Sequence, residues 1–241
     1  MSDNKKQMHT GHRERVRSKY CANGLDGFAD HEVLELLLFY ANKRGDTNPT
    51  AHRLMESFGS LSGVFEASYD DLKKVEGIGD YAATLITLVP QLFRRYSCDK
   101  ADRTKFITSA QDAKDYLVPR FFGLTNERVG IICLDSQGRI INFVFLSEGS
   151  LKMAQIDIRK TVQIALQNNA ESIIIAHNHP GGIATPSRSD LDSTKTLINA
   201  LGQINIRVAD HIIVSDKESF SMSSNRKFAP VFMLGTAYSS E

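Results

Sequence analysis

Residues His177 to Asp190 carry the chain's clearest chemistry. They read His177-Asn178-His179-Pro180-Gly181-Gly182-Ile183-Ala184-Thr185-Pro186-Ser187-Arg188-Ser189-Asp190. The run follows Ser172-Ile173-Ile174-Ile175-Ala176, whose β-branched residues predict a buried strand. Side chains two apart on a strand share a face, so His177 and His179 can converge on one point. Asp190 stands at the start of the next helical pattern. Two imidazoles and one carboxylate suit Zn2+. Three protein ligands in a tetrahedral site leave one position for water, the arrangement of catalytic rather than structural zinc.

Each part of the run also has a plainer reading. A His-x-His pair alone arises by chance in surface loops. Ser187-x-x-Asp190 is a capping box, with Ser187 as N-cap and Asp190 at the third helical position. That reading is compatible with metal binding, because the cap anchors the helix that brings Asp190 in. Pro180-Gly181-Gly182 reads as a turn. The combination is much more specific than its parts.

His177-x-His179, seven residues, Ser187, two residues and Asp190 match the JAMM motif of MPN-domain metalloproteases without a gap. With its flanking residues the run resembles the bacterial RadC family, as does Asp210-His211-Ile212-Ile213-Val214 further on. The resemblance covers nearly the whole chain apart from its two ends. It implies an α/β fold of the JAB/MPN-like, cytidine-deaminase-like type: a mixed sheet flanked by helices, preceded by a small all-α domain. It also implies a zinc-dependent hydrolase that cleaves a peptide or isopeptide bond, with a link to DNA repair or recombination. His177, His179 and Asp190 are then the zinc ligands.

Such a reaction needs a general base to take a proton from water and pass it to the leaving amine. The resemblance implies a glutamate well upstream of the histidines, and Glu127, Glu148 and Glu171 are the candidates. Glu127, in Leu124-Thr125-Asn126-Glu127-Arg128 just before a strand, is favoured over Glu148. Glu171 reads as a solvated residue, and an exposed charge is the commonest fate of any glutamate. For Ser187 the resemblance implies a second role, donating to the oxyanion that forms when water attacks the carbonyl. His9, His12, His31, His52 and His211 have no partner spacing. His211 reads first as structural, and otherwise as support behind the ligands through its ring N–H.

The elements that must hold these residues follow from periodicity. Val129 to Leu134 and Ile140 to Leu146 read as strands around the turn Ser136-Gln137-Gly138. Asp157 to Asn168 reads as a helix, Ile173 to Ala176 as a strand, Ser189 to Leu201 as a helix and Ile206 to Val214 as a strand. This predicts an α/β domain over 104–235. Residues 1–100 read as a separate helical domain, with helices at Asp30 to Phe39, Thr50 to Gly59, Asp70 to Val75 and Tyr81 to Phe93. Pro90 is expected to kink or end the last of these. The polar stretch Arg94 to Arg103 marks the division.

Val75-Glu76-Gly77-Ile78-Gly79-Asp80-Tyr81 looks like the helix-hairpin-helix of DNA-repair proteins. Gly77 and Gly79 admit positive φ and expose backbone N–H groups at a helix start, where a phosphate can sit. Lys73 and Lys74 add charge nearby. Such contacts ignore base identity, so any DNA binding is expected to be weak and non-specific. The same residues also make a plain helix–helix turn, and Asp80 competes with a phosphate there. The segment Lys5 to Lys19 is basic, with Lys5, Lys6, Arg13, Arg15, Arg17 and Lys19 set against Glu14 alone.

Composition bounds the reading. The chain has 241 residues, 41% hydrophobic and 24% charged, as expected of a soluble globular protein with one large or two small domains. A net charge of +1 does not by itself point to nucleic acid. The three cysteines, Cys21, Cys98 and Cys133, include no CxxC pair and form neither a zinc knuckle nor a disulfide framework. A reducing cytoplasm is the expected compartment. Residues 1–10 lack the apolar core of a signal peptide, and no stretch approaches the roughly 18 apolar residues of a membrane span. Two other classes stay open: a DNA-binding adaptor with a structural metal site, and a metal-dependent nuclease.

Overall fold

A computed structural model describes residues 11–146 and 156–233. The chain forms two compact units, Met1–Phe93 and Arg94–Glu241. The described part of the first is helical: α1 (His12–Asn23), α2 (Asp30–Ala41), α3 (Asn48–Phe58), α4 (Leu61–Glu66), α5 (Tyr69–Leu72) and most of α6 (Asp80–Ala101). Local chemistry sets their ends. Ser60 and Ser68 cap α4 and α5 by accepting from the N–H groups of Gly63 and Asp71. Gly59 stops α3 in the left-handed conformation. Leu34, Leu38, Leu54, Val64, Leu72 and Ile86 meet in the core.

Helix α6 departs from the sequence expectation. It passes through Pro90 and runs to Ala101, so the polar stretch from Arg94, where the two units divide, is helical. Proline removes one N–H and crowds the carbonyl a turn back. The carbonyl left without its helical donor is that of Ile86, four residues before Pro90. Arg94, Arg95 and Lys100 are good helix formers that carry the helix on.

The second unit is a five-stranded sheet between helices. After α7 (Ala110–Phe121) come β1 (Val129–Leu134), β2 (Ile140–Phe145), α8 (Ile158–Gln167), β3 (Ser172–His179), α9 (Arg188–Gly202), β4 (Arg207–Ser215), β5 (Ser219–Ser221) and α10 (Ala229–Met233). Strand order is β2-β1-β3-β4-β5. Strand β3 pairs antiparallel with β1 and parallel with β4, which gives the mixed α/β sheet that the sequence predicts. Alternation sorts the side chains. Ile131, Cys133, Ile173 and Ile175 pack with Leu197 and Leu201 of α9 on one face. Ile132, Ile174, Ala176 and Ile212 pack with Tyr116 and Leu117 of α7 on the other. Gly130 has a steric reason: a Cβ there would lie 2.8 Å from the Phe143 ring.

Asp210, within β4, ties that strand to the end of β5 and the segment after it. Its buried carboxylate accepts from the Ser221 hydroxyl at 2.5 Å, the Ser223 N–H at 2.9 Å and the His211 N–H at 2.7 Å. Burial pushes its pKa up, and those hydrogen bonds oppose the shift. Asp210→Ala strands three donors, and a stranded buried donor costs about 1–3 kcal/mol. At about 2–4 °C per kcal/mol for a domain of this size, a fall of at least about 6 °C in Tm is expected in a thermal melt. An unchanged Tm would refute the anchoring role. No helix among the described residues is long and apolar enough to cross a membrane.

Candidate metal centre

The centre forms where β3 ends and α9 begins. His177 and His179 lie on the face of β3 that carries Ile173 and Ile175, so the strand's own period delivers both rings to one side. His177 stands opposite Val129 on β1 and Ile213 on β4, buried in mid-sheet. The His177 and His179 Nε2 atoms are 2.9 Å apart. Asp190 arrives from α9, with Oδ1 3.4 Å from His177 Nε2 and Oδ2 3.9 Å from His179 Nε2. His177, His179 and Asp190 thus offer three ligand atoms within 4.8 Å of one another.

The capping box divides the Asp190 carboxylate. Ser187 Oγ accepts from the Asp190 N–H at 3.1 Å, and Asp190 Oδ2 accepts from the Ser187 N–H at 2.7 Å. That leaves Oδ1 toward His177. His179 Nδ1 lies 2.9 Å from the Ile183 carbonyl, which can only accept, so Nδ1 carries the hydrogen and Nε2 a lone pair. Burial pushes the His177 imidazole down to about 4, while Asp190 and Glu127 pull it back up. A neutral imidazole is the form that binds metal. Lone pairs and a carboxylate gathered within 2.9–3.9 Å of one another form a donor set that suits a cation such as zinc.

Glu127 is half-buried just before β1, and its charge reaches His177. Pairing of β1 with β3 continues past the strand start, where the Asn178 N–H donates to the Arg128 carbonyl at 3.3 Å. In that register Glu127 falls opposite His179, on the ligand face. Asn178 holds the segment in place. It is buried between the two histidines in sequence but points the other way. Its Oδ1 accepts from the Arg128 N–H at 2.7 Å, and its Nδ2 donates to the Asn126 carbonyl at 3.1 Å. Sequence reasoning missed Asn178, although its odd place in a His-x-His pair puts it on the opposite face. Glu148 lies outside the described residues. Glu171 precedes β3, at the far end from the ligands.

The loop between the ligands is clipped to the β4–β5 turn. The Gly181 N–H donates to Asp216 Oδ2 at 2.9 Å, and the Ala184 N–H donates to Glu218 Oε1 at 3.3 Å. Neither carboxylate has a sequence signal. Ser187 itself is exposed. Its oxygen accepts the cap bond, so its own hydrogen remains for another acceptor.

In the first unit Gly77 has a φ of +92°, and a Cβ there would meet Thr50 Oγ1 at 2.5 Å. Only glycine fits that turn. Gly79 precedes α6, with nothing within 4 Å of a Cβ there. Lys73 is ion-paired with Asp80 at 2.6 Å, and Lys74 with Asp71 at 2.6 Å.

Comparison with known proteins gives the class. Residues 107–227 match the family model of the RadC-like JAB domain. The chain is 36% identical over 218 residues to a UPF0758 protein of Fusobacterium nucleatum subsp. nucleatum, spanning 88% of this chain and 94% of that one. It is 32% identical to a UPF0758 protein of Pseudoalteromonas atlantica and 34% identical to one of Ectopseudomonas mendocina. Each of these matches covers 210 residues, 87% of this chain and 94% of the relative. The chain therefore belongs to the RadC family.

Proposed function

We propose that the second unit is a zinc-dependent hydrolase that cleaves an amide bond of the peptide or isopeptide type. The observation that carries this is the convergence of His177, His179 and Asp190, with Glu127 on the same face. Nitrogen and oxygen donors in a three-ligand set fit zinc, and three protein ligands leave a coordination position open. Zinc bound there supplies Lewis-acid polarisation of the carbonyl and a more acidic water.

The chain's own residues do the rest. Glu127 takes a proton from the water that attacks the carbonyl carbon. It returns that proton to the departing amine nitrogen as the C–N bond breaks. Ser187 offers its hydroxyl hydrogen to the oxyanion. Asn178 keeps Glu127 beside the histidines. A purely structural zinc site closes with four protein ligands, and the described residues supply three. A two-metal nuclease needs bridging carboxylates, and the described cluster contains one.

Purified full-length protein tests the reading. Peptide, isopeptide-linked and DNA substrates are each offered before chelation, after chelation and after zinc is restored. Amide cleavage that chelation stops and zinc restores is expected. Cleavage of DNA alone, or no zinc uptake at all, would overturn the proposal.

A further inference from the structure

Behind the ligands, three hydrogen bonds run from His177 back to the helix that carries Asp190. His177 Nδ1 lies 2.8 Å from His211 Nε2. His211 Nδ1 lies 2.6 Å from Thr194 Oγ1. Thr194 Oγ1 lies 2.6 Å from the main-chain carbonyl of Asp190, one helical turn back. His177, Thr194 and His211 are all buried, so water does not stand in for any of these partners.

The donors in this chain are fixed by its last member. A carbonyl only accepts, so the Thr194 hydroxyl hydrogen goes to Asp190. Thr194 Oγ1 then accepts from the Nδ1–H of His211. His211 Nε2 is left as an acceptor, and it receives the Nδ1–H of His177. His177 Nε2 keeps its lone pair and faces the ligand cluster. The opposite polarity, with Thr194 donating to His211, would place a hydrogen on His177 Nε2 and block a metal there.

We infer that Thr194 and His211 are positioning residues that hold His177 in its metal-binding tautomer and ring orientation. The inference rests on the metal reading of the site and goes one layer beyond it. It joins β3, β4 and α9 at one point. His179 has its own partner in the Ile183 carbonyl, so the relay acts on one ligand only. A histidine that merely filled space at 211 would be replaceable by leucine with no change at the metal. Supports of this kind are typically worth about 10–100-fold in metal affinity.

The test uses full-length protein. Zinc affinity is measured by chelator competition, Co2+ geometry by absorption, and ring protonation by 1H–15N correlation. Thr194→Val and His211→Leu are each expected to weaken zinc by about 10–100-fold and to alter the Co2+ spectrum. Thr194→Ser and His211→Gln, whose side-chain carbonyl can stand where Nε2 stood, are expected to stay near wild type. Zinc-loaded wild type should show Nδ1–H at both His177 and His211. Melts of the metal-free variants separate folding loss from affinity loss, and if His211→Leu does not fold, the Thr194 pair decides. Wild-type affinity in Thr194→Val, or a hydrogen on His211 Nε2, overturns the relay while the metal reading stands. Wild-type protein that takes up neither Zn2+ nor Co2+ overturns the metal reading and the relay together.

Discussion

Asp190→Ala should reduce zinc from about one ion per chain to almost none and abolish hydrolysis. Removing a ligand must cost more than removing a support behind one, so the loss of affinity should exceed roughly 100-fold. Alanine also removes the reciprocal half of the capping box, in which Asp190 accepts from the Ser187 N–H. Asp190→Asn separates the two effects. Its amide oxygen can still accept from the Ser187 N–H, but its –NH2 points hydrogens at the histidines. That variant should keep the start of α9 and still lose zinc. His177→Ala should lose zinc as well. Full zinc occupancy in Asp190→Asn and His177→Ala, measured by elemental analysis, would exclude these residues as ligands.

Glu127→Gln should behave in the opposite way. The amide is isosteric and removes none of the three candidate ligands, so zinc content should stay at the wild-type level. Turnover should fall about 10²–10⁴-fold, the usual contribution of a general base. The loss should appear in kcat, since the proton transfer belongs to the transition state. Glu148→Gln is the control. An inactive Glu148→Gln beside an active Glu127→Gln would reassign the base.

The convergence of His177, His179 and Asp190 is legible in sequence because two short periods write it. Strand alternation places His177 with His179, and the capping box places Asp190. Strands β1, β2 and β4 are legible for the same reason, since their apolar runs are local. What supports the site is written in long-range pairing. Asn178 meets residues 124–128 across a strand, and His211 reaches His177 from the neighbouring strand. Thr194 had the one local clue, standing a turn after Asp190 on the same face of α9. Helix α1 buries only Val16 and so shows no apolar stripe to detect. Helix α7 carries a sequence signal of its own in Ser109-x-x-Asp112, the same capping pattern as Ser187-x-x-Asp190. Lys74 pairs with Asp71 at a local i,i+3 spacing that the sequence offers, whereas Lys73 meets Asp80 only across the turn.

The clip on the loop from Pro180 to Pro186 has a thermodynamic consequence. Asp216 and Glu218 hold its backbone through two N–H groups, and the Ile183 carbonyl in turn orients His179. The conformational entropy of the loop is therefore lost when the chain folds and not when an ion arrives. Fixing a backbone residue costs about 1–2 kcal/mol. If three loop residues had to order on binding, affinity would fall by at least about 100-fold, at 1.4 kcal/mol for each factor of ten. With the loop already set, an ion that bound there would not have to order it.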